Sequence, residues 1–560
     1  MRTRILLSAA LLVGLALGAS AAPAPVIKST GGPPVILQIA PGQKLLENVK
    51  KIVGIVAGEG FSGLIDGQIQ GKLGEKGFAG LDMTKPIVGY LYLPNKALKG
   101  PDDFKEIYGF VAIPVTGENE FKDFVSRLGP PDDPLNFKPI EGNKGLYALE
   151  TNGGDHDEIP VRARFHDGYL YVGFNAKDEL LDAKNLIPAK NLIKPGETGL
   201  VLARIFTDRF PEAIAQQQSE QFEELEQQIP NLGAWSGIAG NILKSYSALA
   251  KKSSAQLKDT EETGFRLAFD EKAAEIAIES YAMPKKGTDY AKELAAIKPT
   301  ANRFASLISD TTAAGGLLQL PIATPELKDI LGKLVEAGQK GKEDAPEHMR
   351  PVIDELLKGL GRTIKGDSID YALAVNGPNK EGKFTMVAAV NFDDASGLEK
   401  ALKAAAKHAD APEKFKDEVK FDVDEVEGLK VHRVIMKDDA EPVKAIFGPS
   451  GLSFVMGPKS IVVAMGPDWK DSLKAALAAK AGPSKVLDLV ANPKRLGELI
   501  TAGNEQAGGV AAQLLGSEDK RVTVLGLTYE GGEMLKSRFS ISLKIIPKAA
   551  IGFFTLRMGG

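Results

Sequence analysis

Residues Val35 to Val53 read VILQIAPGQKLLENVKKIV. The stretch is an apolar strand end, a Pro-containing corner, then an amphipathic helix whose stripe runs through Leu45, Leu46, Val49, Ile52 and Val53. The pattern returns at Gly316 to Val335 as GLLQLPIATPELKDILGKLV. Leu37-Gln38-Ile39 is answered by Leu318-Gln319-Leu320, and Leu46, Val49 and Val53 by Leu327, Ile330 and Leu334. The echo predicts one design written twice.

Further correspondences follow in the same order. A helical stripe through Phe61, Leu64, Ile65, Ile69 and Leu73 is matched by Met349, Val352, Ile353, Leu356, Leu357 and Leu360. Strands are expected at Ile87 to Leu93 and Ile369 to Val375. A strand then a helix follows in each copy, Tyr108 to Val115 with Glu118 to Leu128, and Phe384 to Phe392 with Ala395 to Lys407. Turns at Pro139 to Gly142 and Glu425 to Gly428 each sit inside a hairpin. A second hairpin joins Val161 to Phe165 with Tyr169 to Phe174 through an Asp167-Gly168 turn. Its expected counterpart joins Lys444 to Phe447 with Ile461 to Met465. Strands at Leu200 to Ile205 and Lys485 to Val490 precede prolines, and Leu496 to Leu515 reads as one helix. Paired strands close each copy, Gly264 to Phe269 with Ala274 to Met283, and Val522 to Tyr529 with Met534 to Ile546.

The expected class is α+β, as two diverged tandem copies of a mainly antiparallel sheet with helices packed on one face. The domains are a signal peptide over 1–21, a flexible leader over 22–34, copy one over 35–290 and copy two over 301–560. Copy one carries a helical-hairpin insertion near 212–256. Within it Pro211 to Ile229 is acidic and Gln-rich, a solvated helix packed through Phe222, Leu225 and Ile229.

Arg2 and Arg4, an apolar run from Ile5 to Leu17 and Ala19-Ser20-Ala21 describe a secretory signal peptide cleaved after Ala21. Export to the periplasm or beyond follows. No other stretch approaches the roughly 18 consecutive apolar residues of a membrane span, so no transmembrane anchor is expected after cleavage. The chain of 560 residues contains no cysteine, which removes disulfides, thiolate metal sites and a cysteine nucleophile. Its net charge is −4 and becomes more negative once Arg2 and Arg4 are removed, which argues against a nucleic-acid partner. Trp235 and Trp469 are its two tryptophans, which disfavours carbohydrate stacking.

No catalytic, cofactor-binding or metal-ligating residue emerges. His156 lies in the acidic loop Gly154 to Glu158, whose spacing fits no calcium loop and reads as solvated. His432 is expected to point outward from an alternating strand, His408 to end a helix, His166 to sit in a turn and His348 to sit at a charged helix start. Asp422, Asp424, Glu425 and Glu427 read as a solvated face opposite Lys416 and Lys420. The chain has no G-x-S-x-G elbow and no phosphate loop, and Gly448-Pro449-Ser450-Gly451 is read as a hairpin turn.

The signal peptide through Ala21 and the paired strand–helix units at Phe110 to Leu128 and Val387 to Lys407 resemble exported, cysteine-free, duplicated bacterial envelope proteins of no assigned activity. The resemblance implies no reaction and carries no site residue. The expected function is that of a non-catalytic envelope protein binding a partner or hydrophobic ligand at a surface or interdomain groove. The alternative is a secreted hydrolase using carboxylates from both domains.

Overall fold

The computed structural model describes residues 32–96, 106–128, 135–150, 161–194, 199–211, 259–297, 300–322, 342–366, 368–436, 441–449 and 451–545, with scattered positions at 196, 256 and between 328 and 339. The expected signal peptide, the loop around His156, residues 212–255 of the insertion and the copy-two positions Leu327, Ile330 and Leu334 lie outside these residues. The described chain forms two compact units that change over between Lys292 and Glu293.

The first unit contains β1 (Val35–Ile39), β2 (Ile87–Tyr92), β3 (Tyr108–Pro114), β4 (Asn136–Pro139), β5 (Leu146–Glu150), β6 (Arg162–His166), β7 (Tyr169–Phe174), β8 (Val201–Phe206), β9 (Thr260–Asp270) and β10 (Glu275–Pro284). They pair antiparallel in the order β10-β9-β8-β1-β2-β3-β7-β6-β5-β4. Its helices include α1 (Gly42–Ala57), α2 (Ser62–Leu73) and α3 (Glu118–Leu128), with short turns of helix at Asp178–Leu181 and Ala189–Leu192.

The second unit contains β11 (Thr312–Pro321), β12 (Ser368–Asn376), β13 (Thr385–Asn391), β14 (Val419–Val426), β15 (Leu429–Val434), β16 (Leu452–Met456), β17 (Ser460–Met465), β18 (Leu487–Ala491), β19 (Val522–Glu530) and β20 (Leu535–Ser542). Its antiparallel order is β20-β19-β18-β11-β12-β13-β17-β16-β15-β14. Matching each strand of the first unit to the strand ten numbers later reproduces the order throughout. The helices include α4 (Arg350–Ile364), α5 (Ser396–Lys407), α6 (Glu413–Glu418), α7 (Glu441–Phe447), α8 (Trp469–Leu477), α9 (Pro493–Gly503) and α10 (Glu505–Leu515).

Both units are α+β, with a sheet that is antiparallel at every one of these pairings. The helices, however, cover both faces of the second sheet. Leu473 and Ala476 of α8 pack with Ala372, Val387, Ala389 and Val462 on one face. On the other, Val352 of α4 and Leu398, Ala401 and Ala405 of α5 pack with Phe392 and Met456, against Phe454 and Ile461. The reason is in the strands: Met386-Val387-Ala388-Ala389-Val390 is apolar at every position, so both faces must be buried. The first unit is likewise two-sided. Phe121, Phe124 and Val125 of α3 cover Ala163 and Leu170, while Leu181, Ala189 and Leu192 cover Tyr90, Phe110 and Tyr171. Each buried Val, Leu, Phe or Met among these contributes about 1.5–3 kcal/mol relative to exposure, and each Ala less.

Three local expectations change. Lys444 to Phe447 is helical and belongs to α7, where Pro442 suits the first turn and Gly448, with φ 74°, ends the helix. The Gly448 to Gly451 stretch therefore joins a helix to β16, and β16 supplies the partner expected for β17. Leu496 to Leu515 is broken at Asn504, whose side chain accepts the Ala507 N–H and starts α10. The Asp167-Gly168 turn has φ of 50° and 74°, the type I′ geometry that two-residue hairpins favour.

Candidate functional site: one niche in each unit

The same corner of the two sheets holds a related group of side chains. In the first unit α3 lies over the β4–β5 hairpin, and in the second α5 lies over the β14–β15 hairpin. Each helix presents a Glu and a Lys four residues apart on the side facing the hairpin, a spacing that places the two groups together. Lys122 Nζ lies 2.7 Å from Glu118 Oε1, and Lys403 Nζ lies 2.7 Å from Glu399 Oε1.

In the first unit the strand β5 sends Tyr147 into this corner. Its hydroxyl donates to Glu118 Oε1 at 2.5 Å. Its ring stands 6.0 Å from those of Phe137 and Phe165. The Lys122 ammonium lies 4.1 Å from the centre of the same ring, a cation–π contact. Burial works against the Glu118 charge, but Lys122 and Tyr147 outweigh it and hold the carboxyl below its ordinary range. The bond to Glu118, followed by burial, raises the Tyr147 phenol. Every polar end of this triad is paired.

In the second unit β15 sends His432 into the corresponding corner, between Phe421 at 5.2 Å and Phe454 at 5.1 Å. The ring is wholly buried, at 0% exposure, which corrects the expectation of an outward-pointing residue. Alternation along β15 turns Val431 to one face and His432 to the other, and α5 covers that second face. His432 Nδ1 accepts the backbone N–H of Asp422 at 3.1 Å. Nε2 lies 3.3 Å from Glu399 Oε1 but off the line that a hydrogen bond requires, so it remains without a formed bond. Lys403 also reaches Asp422 Oδ1 at 2.7 Å and so bridges the two carboxylates.

A bulge makes this arrangement. Lys420 pairs with Arg433 and Asp424 with Val431, so Phe421, Asp422 and Val423 together oppose His432. Asp422 takes φ 58°, a left-handed conformation that Asp tolerates better than most residues. That rotation aims its N–H at the imidazole, as bulges often re-aim a group beside a site. The β4–β5 pairing of the first unit is regular, with Pro139 opposite Tyr147.

Glu399, Asp422 and His432 are, among the described residues, a group of three donors close enough to share a cation. Their chemistry argues against it. The Lys403 ammonium already sits between the carboxylates. Nδ1 is an acceptor, so the neutral ring carries its proton on Nε2 and neither nitrogen offers a free lone pair. A ligating histidine ordinarily donates from its other nitrogen, the reverse of this pattern.

The remaining carboxylates of the acidic stretch take partners from several elements. Asp424 binds Lys470 at 2.9 Å, Glu425 binds Lys430 at 2.7 Å and Glu427 reaches Lys474 at 3.4 Å. They form surface ion pairs and do not face one another as an acid–base pair. His408 ends α5 and its ring lies 6.0 Å from that of His348. His166 ends β6 at the hairpin turn. The chain matches no protein-family model, no curated protein and no solved structure.

Proposed function

We propose that the protein is an exported, non-catalytic envelope protein, periplasmic or extracellular, that binds a partner or a hydrophobic ligand at a surface of its repeated units. The shared ten-strand order and the related corner niches are what duplication and divergence of one ancestral unit would leave. The N-terminal basic, apolar and small-residue pattern supports export. The observation that carries the binding reading is an apolar face on the second sheet. Leu320 on β11, Tyr371 on β12 and Leu489 on β18 are 38–47% exposed on three hydrogen-bonded strands. Leu318 stands opposite both Tyr371 and Leu487 and extends the same face. Large apolar side chains grouped in this way mark interaction surfaces more often than isolated ones do.

Native mass spectrometry of the protein purified from its own envelope tests the reading. A retained ligand or partner is expected, and Leu489→Asp should release it. A bare chain from both preparations removes the binding proposal. Sequencing of the mature N-terminus, expected to begin at Ala22, tests export separately.

A further inference from the structure

We propose that His432 is a proton-operated latch on the β14 bulge, in which protonation at Nδ1 displaces the Asp422 backbone N–H and releases the edge strand. The proposal is independent of any ligand. At neutral pH the latch is closed by one directional contact, N–H of Asp422 to Nδ1. A proton added to the ring can go only to Nδ1, because Nε2 already carries one. Two donors would then face each other at 3.1 Å, and the bond that holds the bulge becomes a repulsion.

A replacement acceptor is at hand. Asp422 Oδ1 lies 3.8 Å from Nδ1, so the imidazolium can exchange the backbone N–H of Asp422 for the carboxylate of the same residue. That exchange requires the Asp422 peptide to turn out of its left-handed conformation. The mechanical load is small, since β14 is the outermost strand of its sheet and pairs with β15 alone among the described strands.

Charged groups around the ring come from two elements. Helix α5 contributes Glu399, which favours the imidazolium, and Lys403, which opposes it; β14 contributes Asp422, which favours it. Strand β16, reading LSFVM, contributes no charge. Burial is the largest influence and lowers the proton affinity of His432 below the ordinary histidine value of 6.5. The latch therefore stays closed at neutral pH and opens below the usual histidine range. The first unit lacks the device, because Tyr147 cannot gain a proton in that range and its hairpin has no bulge.

Hydrogen-exchange mass spectrometry on the full mature chain from pH 8 to 4, corrected for intrinsic exchange, tests this alongside 15N-histidine spectra. Protection of the 419–426 amides should fall at least tenfold with the same midpoint as His432, while the 136–150 hairpin keeps its protection. His432→Gln offers a neutral acceptor to Asp422 and should abolish the step. The idea is overturned if the 419–426 amides stay protected while His432 titrates, or if they open while its ring is still neutral. An undiminished step in a folded His432→Gln chain also overturns it. The wild-type titration decides the matter even if that variant does not fold.

Discussion

The two niches share a Glu/Lys pair on the covering helix and differ in the ring set against it, Tyr147 or His432, and in one strand irregularity. In the first unit Tyr147 donates to Glu118 across a regular hairpin, and the corner is filled by Phe121, Phe124, Phe137 and Phe165. In the second, a ring with two nitrogens needs two polar partners. The bulge supplies one from the backbone of Asp422, and Glu399 stands near the other without completing a bond. A hydroxyl can satisfy itself by rotation, whereas an imidazole fixes both directions at once. A ring that is only partly satisfied when buried is the condition under which a proton changes structure.

The largest expected effect falls on the packed side of the comparison. Phe121 is 2% exposed, and Phe121→Ala should cost about 3–5 kcal/mol in the first unit. The corresponding Leu402→Ala in the second unit should cost less than half of that, because Leu402 is only half-buried. Urea unfolding followed by hydrogen exchange in each unit measures both, and equal costs would show that the niches are packed alike. His432→Tyr installs the first unit's residue in the second; overpacking between Phe421 and Phe454 should cost about 1–3 kcal/mol. The same change should remove the acid response of the 419–426 amides, and an unchanged response would separate it from the histidine.

Tyr147→Phe should cost the first unit about 1 kcal/mol through loss of the bond to Glu118, with the Glu118 carboxyl moving up toward its ordinary range by carboxylate NMR. Lys403→Met removes the cation that opposes protonation of His432. The ring should then titrate at higher pH than in the parent, and a downward shift would mean that Lys403 acts mainly by holding the carboxylates in place. The smallest effect serves as a control. Hydrogen bonds from Lys358 and Lys342 hold Asp354 to about 2, below its ordinary 3.8. A carboxyl depressed in the folded state stabilises above its unfolded value and loses that contribution as pH falls toward 2. Asp354→Asn should therefore flatten the stability curve between about pH 4 and 2 and leave the response in the histidine range untouched, as differential calorimetry across that span would show.

His432 obeys the opposite rule from a histidine that gains a partner. Its folded-state proton affinity is lowered, so the unfolded chain binds the proton first, and stability declines as pH drops from about 6.5 through the folded value. Burial of His432 therefore predicts a less stable second unit in acid, which urea unfolding at about pH 7 and about pH 5 of the parent and His432→Gln chains would check.

Much of the scaffold was legible in the residues. Glu118 to Leu128 is helical over the expected span, and the strands at Ile87, Tyr108 and Ile369 begin within one residue of expectation. Their patterns are local, and local pattern suffices where one element covers one apolar stripe. Lys444 to Phe447 reads equally as strand or helix, because four residues carry no period of their own; the helix signal lies outside them, in Pro442 and Gly448. The paired Glu118/Lys122 and Glu399/Lys403 spacings were visible and could have marked the two corners. Nothing along the chain joined them to Tyr147 or His432.

The sequence by itself determined the apolar periodicity, the turn chemistry and the repeated order of elements, because each depends on residues a few positions apart. Only the tertiary structure decided that His432 is buried, that Phe421 to Val423 crowd opposite it and that Lys403 bridges Glu399 to Asp422. Those facts arise when a helix lands on a hairpin, and alternation along a strand cannot say which of its two faces will be covered.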